Sequence, residues 1–243
     1  MKKMGRHFER EIIKIEDAFK DLCNIAQRNF NDTINALETM DINYLNKHPA
    51  LDYEIDDKEI LIEEECLKTL ALYQPVASDL RSIIAILKIN GEIERIGDLT
   101  SGIAERAKSL HKLNMKAAEF LIPDIYKIVG KMLNDSLDAF IKHDTQKATK
   151  VCMLDDKVDK LHSQMYAVLK EHFIKNPEKY DGYVSYISIS RFLERIADHT
   201  TNIAEDLLYM MEGEIFRHRK IQLRKNMPVF DEGGISKRGI SKK

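Results

Sequence analysis

Residues 87–106 read LKINGEIERIGDLTSGIAER, and residues 187–206 read ISISRFLERIADHTTNIAED. Laid over each other at a shift of 100, nine of these twenty positions are identical: Ile89, Glu94, Arg95, Ile96, Asp98, Thr100, Ile103, Ala104 and Glu105 with their partners. Unrelated helices share one or two, so a repeat must be read before any local motif. A shift of 103 extends it upstream, placing Asn31-Asp32-Thr33-Ile34 over Asn134-Asp135-Ser136-Leu137 and Asp52–Asp56 over Asp155–Asp159. The chain is one helical unit written twice, with a three-residue difference between the second and third helices of the two copies.

Helical spacing of apolar residues runs through about 8–45, 50–73 and 77–110, and again through about 119–142, 145–174 and 182–212. Short links between long amphipathic helices favour antiparallel neighbours. The expected fold is therefore all-α, a tandem repeat of two up-down-up three-helix bundles with six long helices, spectrin-repeat-like. The expected domains are residues 1–115 and 116–216, followed by a basic, disordered tail at 217–243 where periodicity fades.

Composition supports the same class. With 10 Gly, 5 Pro and no Trp in 243 residues, turn-formers are too few for an all-β fold. Neither G-x-x-x-x-G-K-[ST] nor G-x-G-x-x-G occurs, which argues against nucleotide chemistry. The net charge of −2 conceals an imbalance: residues 217–243 hold nine Lys/Arg against two acids, so the body is acidic and the tail basic. Cys23, Cys66 and Cys152 stand singly, without CxxC spacing, as buried reduced thiols do. No apolar stretch near the N-terminus suits a leader, and the longest apolar runs, such as Ile83–Leu87, fall short of the ~18 residues of a membrane span. A soluble cytoplasmic protein is expected.

The third helix of the first copy spaces Ile86, Ile89, Ile93, Ile96, Thr100, Ile103 and Ala107 by three and four as a packing seam. Glu94, Asp98 and Glu105 fall more than 120° away, as a stripe facing off the core. The second copy repeats this with Tyr186, Ile189, Leu193, Ile196, Ile203 and Leu207 as seam and Glu194, Asp198 and Glu205 as stripe. The second helix adds Asp52, Asp56, Glu59 and Glu63; its counterpart keeps Asp155 and Asp159 but has His162 and Tyr166 next. Like charges at i,i+4 repel mildly without a countercharge, and paired carboxylate stripes suit hard or borderline cations. The bland reading is a solvated acidic face, with Arg95 and Arg195 as local ion-pair partners of Asp98 and Asp198. Catalytic constellations are absent: no Glu-x-x-His for a di-iron bundle, no H-E-x-x-H and no G-x-S-x-G. His162 and His199 lie beside carboxylates, where a ligand role competes with ordinary packing.

The pair Glu92–Asp98 and Leu193–Glu205, with Tyr73-Gln74-Pro75-Val76-Ala77-Ser78-Asp79-Leu80-Arg81 before the first and Gly213-Glu214-Ile215-Phe216-Arg217-His218 after the second, closely resembles the PhoU family of phosphate-uptake regulators. The likeness covers about residues 5–218 and leaves out the basic tail. It implies a non-enzymatic cytoplasmic negative regulator of phosphate uptake and of the phosphate-starvation response. It also implies a homodimer that links the ATPase of a Pst-type phosphate ABC transporter to a phosphate-sensing histidine kinase. Membrane association would be peripheral, through those partners, and no nucleic acid is implied. Some family members carry multinuclear iron, or another metal such as Zn, Mn or Mg, through E(D)xxxD motifs. Carried over, one cluster would use Asp52, Asp56, Glu94 and Asp98, and the other Asp155, Asp159, Glu194 and Asp198. The alternative is a purely structural interaction module with solvated acidic faces and no metal.

Overall fold

The structure is a computed structural model that describes the backbone of residues 2–213 and the side chains of residues 7–48 and 53–213. The basic segment 217–243 therefore lies outside the described residues. The elements are α1 (Lys2–Thr39), α2 (Ile42–Tyr73), α3 (Ala77–Lys112), α4 (Ile122–Lys142), α5 (Thr145–Lys175), a 3-10 turn (Pro177–Lys179) and α6 (Tyr180–Glu212). Among the described residues there is no strand, and the all-α fold of two three-helix bundles stands.

The first break differs from the expected one. α1 ends at Thr39 and α2 starts at Ile42, running on through residues 45–50 where the spacing placed the link. The Asp41 carboxylate accepts from the backbone N–H groups of Asn43 and Tyr44, satisfying two donors that a helix start leaves open. Met40, at φ 56°, turns the chain into that cap.

Both seams are buried as their spacing requires, from Ile86 to Ala107 on α3 and from Tyr186 to Leu207 on α6. Each fully buried aliphatic side chain contributes about 1.5–3 kcal/mol. The hydroxyls of Thr100 and Thr200 tolerate this burial by donating to the carbonyls of Ile96 and Ala197, each at 2.7 Å. The buried residues form one continuous core from Ile15 to Met210, because α3 and α6 pack against each other as well as within their own halves.

This central pair is antiparallel: Lys88 meets Asp206, Glu92 meets Asn202, and Gly102 meets Phe192. Glu92–Asn202 and Phe192–Gly102 are the same pair of positions under the +100 shift, so an approximate two-fold relates the halves. A Cβ on Gly102 would stand 2.9 Å from Phe192 Cε2, so any side chain there would have to displace the ring. The Tyr186 hydroxyl donates to the Lys116 carbonyl and to Glu119 Oε2, tying α6 to the connector between the halves.

Candidate acidic sites

In the first half, α2 and α3 run antiparallel and bring Asp56, Glu59, Glu94 and Asp98 into mutual electrostatic reach. Burial raises the Asp56 carboxyl above its usual range, with Asp98 and Asp57 adding to it. Burial raises Glu94 as well, helped by Asp98, Asp56 and Glu59 and opposed by Arg95. Glu59 rises through burial, Glu63 and Asp56. Each of these shifts says that a negative charge costs free energy there, first because burial strips it of water and then because other carboxylates stand nearby. The side chain of Asp52 lies outside the described residues.

The second half places Asp155, Asp159 and Glu194 together in the equivalent position. Burial raises Glu194; Asp159 and Asp155 add to the shift, and Arg191 and Arg195 oppose it. Asp198 is exposed one turn further along α6. Two residues depart from an outward-facing stripe. Asp155, on α5, is 1% exposed, and Glu205 is buried at 9% on α6, which is packed against α3, α4 and α5. Arg95, expected beside Asp98, pairs with Glu92 instead, its Nη1 3.5 Å from Glu92 Oε1. Among the described residues, no three His, Cys, Asp or Glu side chains converge closely enough to hold a metal ion.

Around these patches, Asn90, Glu92 and Asn202 are residues that spacing did not single out. Asn90 donates from Nδ2 to the Glu59 backbone carbonyl (2.8 Å) and to Glu59 Oε1 (3.0 Å). Across the halves, Glu92 Oε2 takes His199 Nδ1 at 2.6 Å and Asn202 Nδ2 at 3.0 Å. Burial pushes Glu92 upward, but the hydrogen bonds from His199 and Asn202, with the charges of His199 and Arg95, outweigh it and hold the carboxyl below its usual range. Their signal lies at the positions where the copies differ: Glu92 stands opposite Phe192 in the alignment, and Asn202 opposite Gly102.

The first half also buries a polar cluster beside α2. His48 is 1% exposed, with Nε2 2.8 Å from Thr33 Oγ1 and Nδ1 3.0 Å from Ser101 Oγ. Its counterpart is Val151, so this cluster belongs to one half alone. All three cysteines are buried and none is in a disulfide, and burial pushes the Cys66 thiol up to about 12, far from nucleophilic use.

The duplicated architecture has a counterpart among known families: the PhoU domain profile matches residues 19–107 and again 122–207. The chain belongs to the PhoU family. The Thermotoga maritima protein named phosphate-specific transport system accessory protein PhoU homolog 1 is 31% identical over 210 residues, covering 86% of this chain and 90% of its own length. A crystal structure of PhoU from Pseudomonas aeruginosa superposes with a TM-score of 0.81 at 32% identity, over 85% of this chain and 100% of that one. The phosphate transport system regulatory protein PhoU from Streptococcus pneumoniae superposes at 0.74 and 30% identity, over 86% of this chain and 98% of its own. PhoU is a family of regulatory accessory proteins, not of enzymes. Among the described residues no helix is long and apolar enough to cross a membrane.

Proposed function

We propose that this chain regulates phosphate transport as a negative regulator of uptake and of the starvation response. It acts as a cytoplasmic, homodimeric adaptor between the ATPase of a phosphate ABC transporter and a sensor histidine kinase. PhoU membership and relatives named as accessory or regulatory proteins of phosphate transport support the coarse role. The observation that carries the finer reading is the recurrence of a mutually repelling carboxylate patch at equivalent positions of both halves, on α2/α3 and on α5/α6. Such patches are surfaces that a cation or a basic partner stabilises.

The donor chemistry fits a hard or borderline metal, iron foremost, with Zn, Mn or Mg as alternatives. Asp52, Asp56, Glu94 and Asp98 would hold it in the first patch, and Asp155, Asp159, Glu194 and Asp198 in the second. A bound ion supplies positive charge that cancels the repulsion among these carboxylates and orders the face presented to partners. A second reading, acidic faces that recruit basic partner surfaces without metal, is favoured by the lack of three converging ligands among the described residues.

Metal analysis of the purified protein against the Glu94→Ala/Asp98→Ala/Glu194→Ala/Asp198→Ala variant separates the two. Bound metal lost in the variant supports the first reading. Negligible metal in both, with partner binding that weakens with salt and ignores chelators, establishes the second.

A further inference from the structure

The second helix of each half turns the same side to the core. Ile55, Ile62 and Cys66 are buried on α2, and their counterparts at +103, Val158, Met165 and Leu169, are buried on α5. The outer sides differ. On α2, Tyr53 is 68% exposed, Ile60 54%, Leu61 52% and Leu67 52%. The counterparts on α5 are Asp156, Ser163, Gln164 and Lys170, all exposed and polar. The rings that α5 does expose, Tyr166 and Phe173, lie against His162 and Tyr180.

Tyr53, Ile60 and Leu67 recur every seven residues, so they stand close to one line along about 21 Å of helix. An apolar line left in solvent in this way marks a contact surface. Acids accompany it: exposed Asp57 and Glu64 follow Tyr53 and Ile60 by one turn, and exposed Glu63 lies beside them. The nearby base, Lys68, is held by Glu65 at 3.0 Å. At the positions of Asp57, Glu63 and Glu64, α5 has Lys160, Tyr166 and Ala167, so neither the apolar line nor its acids recur in the second half.

Charge decides the occupant. A second copy presenting the same face would set acid against acid, and an anionic lipid surface would be repelled likewise. A helix with apolar residues at heptad spacing, flanked by Lys or Arg, covers the line and neutralises its border. We propose that the outer face of α2 is a docking surface for a basic amphipathic helix of a partner protein. Tyr53, Ile60 and Leu67 are its apolar anchors, and Asp57, Glu63 and Glu64 its charged border. The inference rests on the adaptor reading for there being a partner at all, and it does not depend on bound metal.

The probe is a labelled three-heptad peptide with Leu along its seam and Lys at its flanks, titrated with the full chain by fluorescence anisotropy. Binding is expected to saturate at one peptide per chain and to weaken as salt rises. Tyr53→Asp/Ile60→Ser/Leu67→Lys gives α2 the residues that α5 carries at those positions. It should cut the affinity about tenfold while far-UV circular dichroism stays unchanged. Ile60→Ser alone gives a smaller loss in the same direction should the triple variant lose helicity. Absent binding, equal binding to the intact chain and the variants, or equal binding of a peptide with Glu for Lys overturns the proposal. In the native host, a photo-crosslinking residue in place of Leu61 should give an adduct with a Lys- or Arg-rich amphipathic helix of another protein. No adduct from a chain that still represses the starvation response overturns this surface and leaves the adaptor reading standing. An adduct with a second copy of the chain also overturns it, assigning the face to a dimer.

Discussion

His162 Nδ1 lies 2.8 Å from Ser190 Oγ, where the first half has Asn90 Nδ2 donating to Glu59 Oε1 at 3.0 Å. Both members of the contact change together between the copies: a carboxylate needs a donor, and Asn90 supplies one; the ring nitrogen is matched by a hydroxyl. The exchange removes a carboxylate from the second patch, where Arg191 and Arg195 also oppose the shift of Glu194. The first patch is thus the more negative of the two.

Cation titration should therefore find unequal sites, with the tighter one on α2/α3. Glu59→Gln is expected to weaken that site selectively, and His162→Glu to strengthen the other. Calorimetric titration with Mn2+ measures both, and equal responses to the two variants would contradict the assignment.

His48 makes stability depend on pH. Burial, with Lys108 adding and Glu105 opposing, lowers its pKa from 6.5 to about 4. The unfolded chain then binds the proton more readily than the folded one between these values, so stability falls as pH drops through 6.5 and levels off below about 4. The full shift corresponds to about 3 kcal/mol at 1.36 kcal/mol per unit. Urea melts at pH 7.5 and pH 4.5 test this. His48→Leu should cost stability at pH 7.5, by leaving Thr33 and Ser101 without their partner, and should flatten the acid dependence.

The antiparallel crossing of α3 and α6 is tested at Gly102. Gly102→Val places branched carbon where the Phe192 ring lies, and overpacking of this kind costs about 1–3 kcal/mol. Phe192→Ala in the same chain removes the clash, so the two losses should be less than additive. Thermal melts of the single and double variants measure the coupling; strictly additive losses would mean that the two residues do not meet.

The six helices, the seams and the doubling were legible because three-to-four spacing and self-similarity survive in the letters. The pairing of α3 with α6 was not, since periodicity shows which face is apolar and not which helix it meets. In retrospect Glu92, Phe192, Gly102 and Asn202 carry that information, as the positions where one copy is polar and the other is not. The first break was misplaced because apolar spacing continues from Leu37 through Tyr44 and Leu45 across it, and the Asp41 cap is a single residue's signal. The acidic patches were visible as stripes, yet angular position does not reveal how many neighbours cover a face. On the central helix α6 that coverage buries Glu205.

The regulatory role is tested most directly in the native host, by deleting the gene for this chain and assaying alkaline phosphatase at high external phosphate. A negative regulator of the starvation response predicts high phosphatase despite abundant phosphate, restored to repression by the intact chain. Normal repression in the deletion strain would contradict the role.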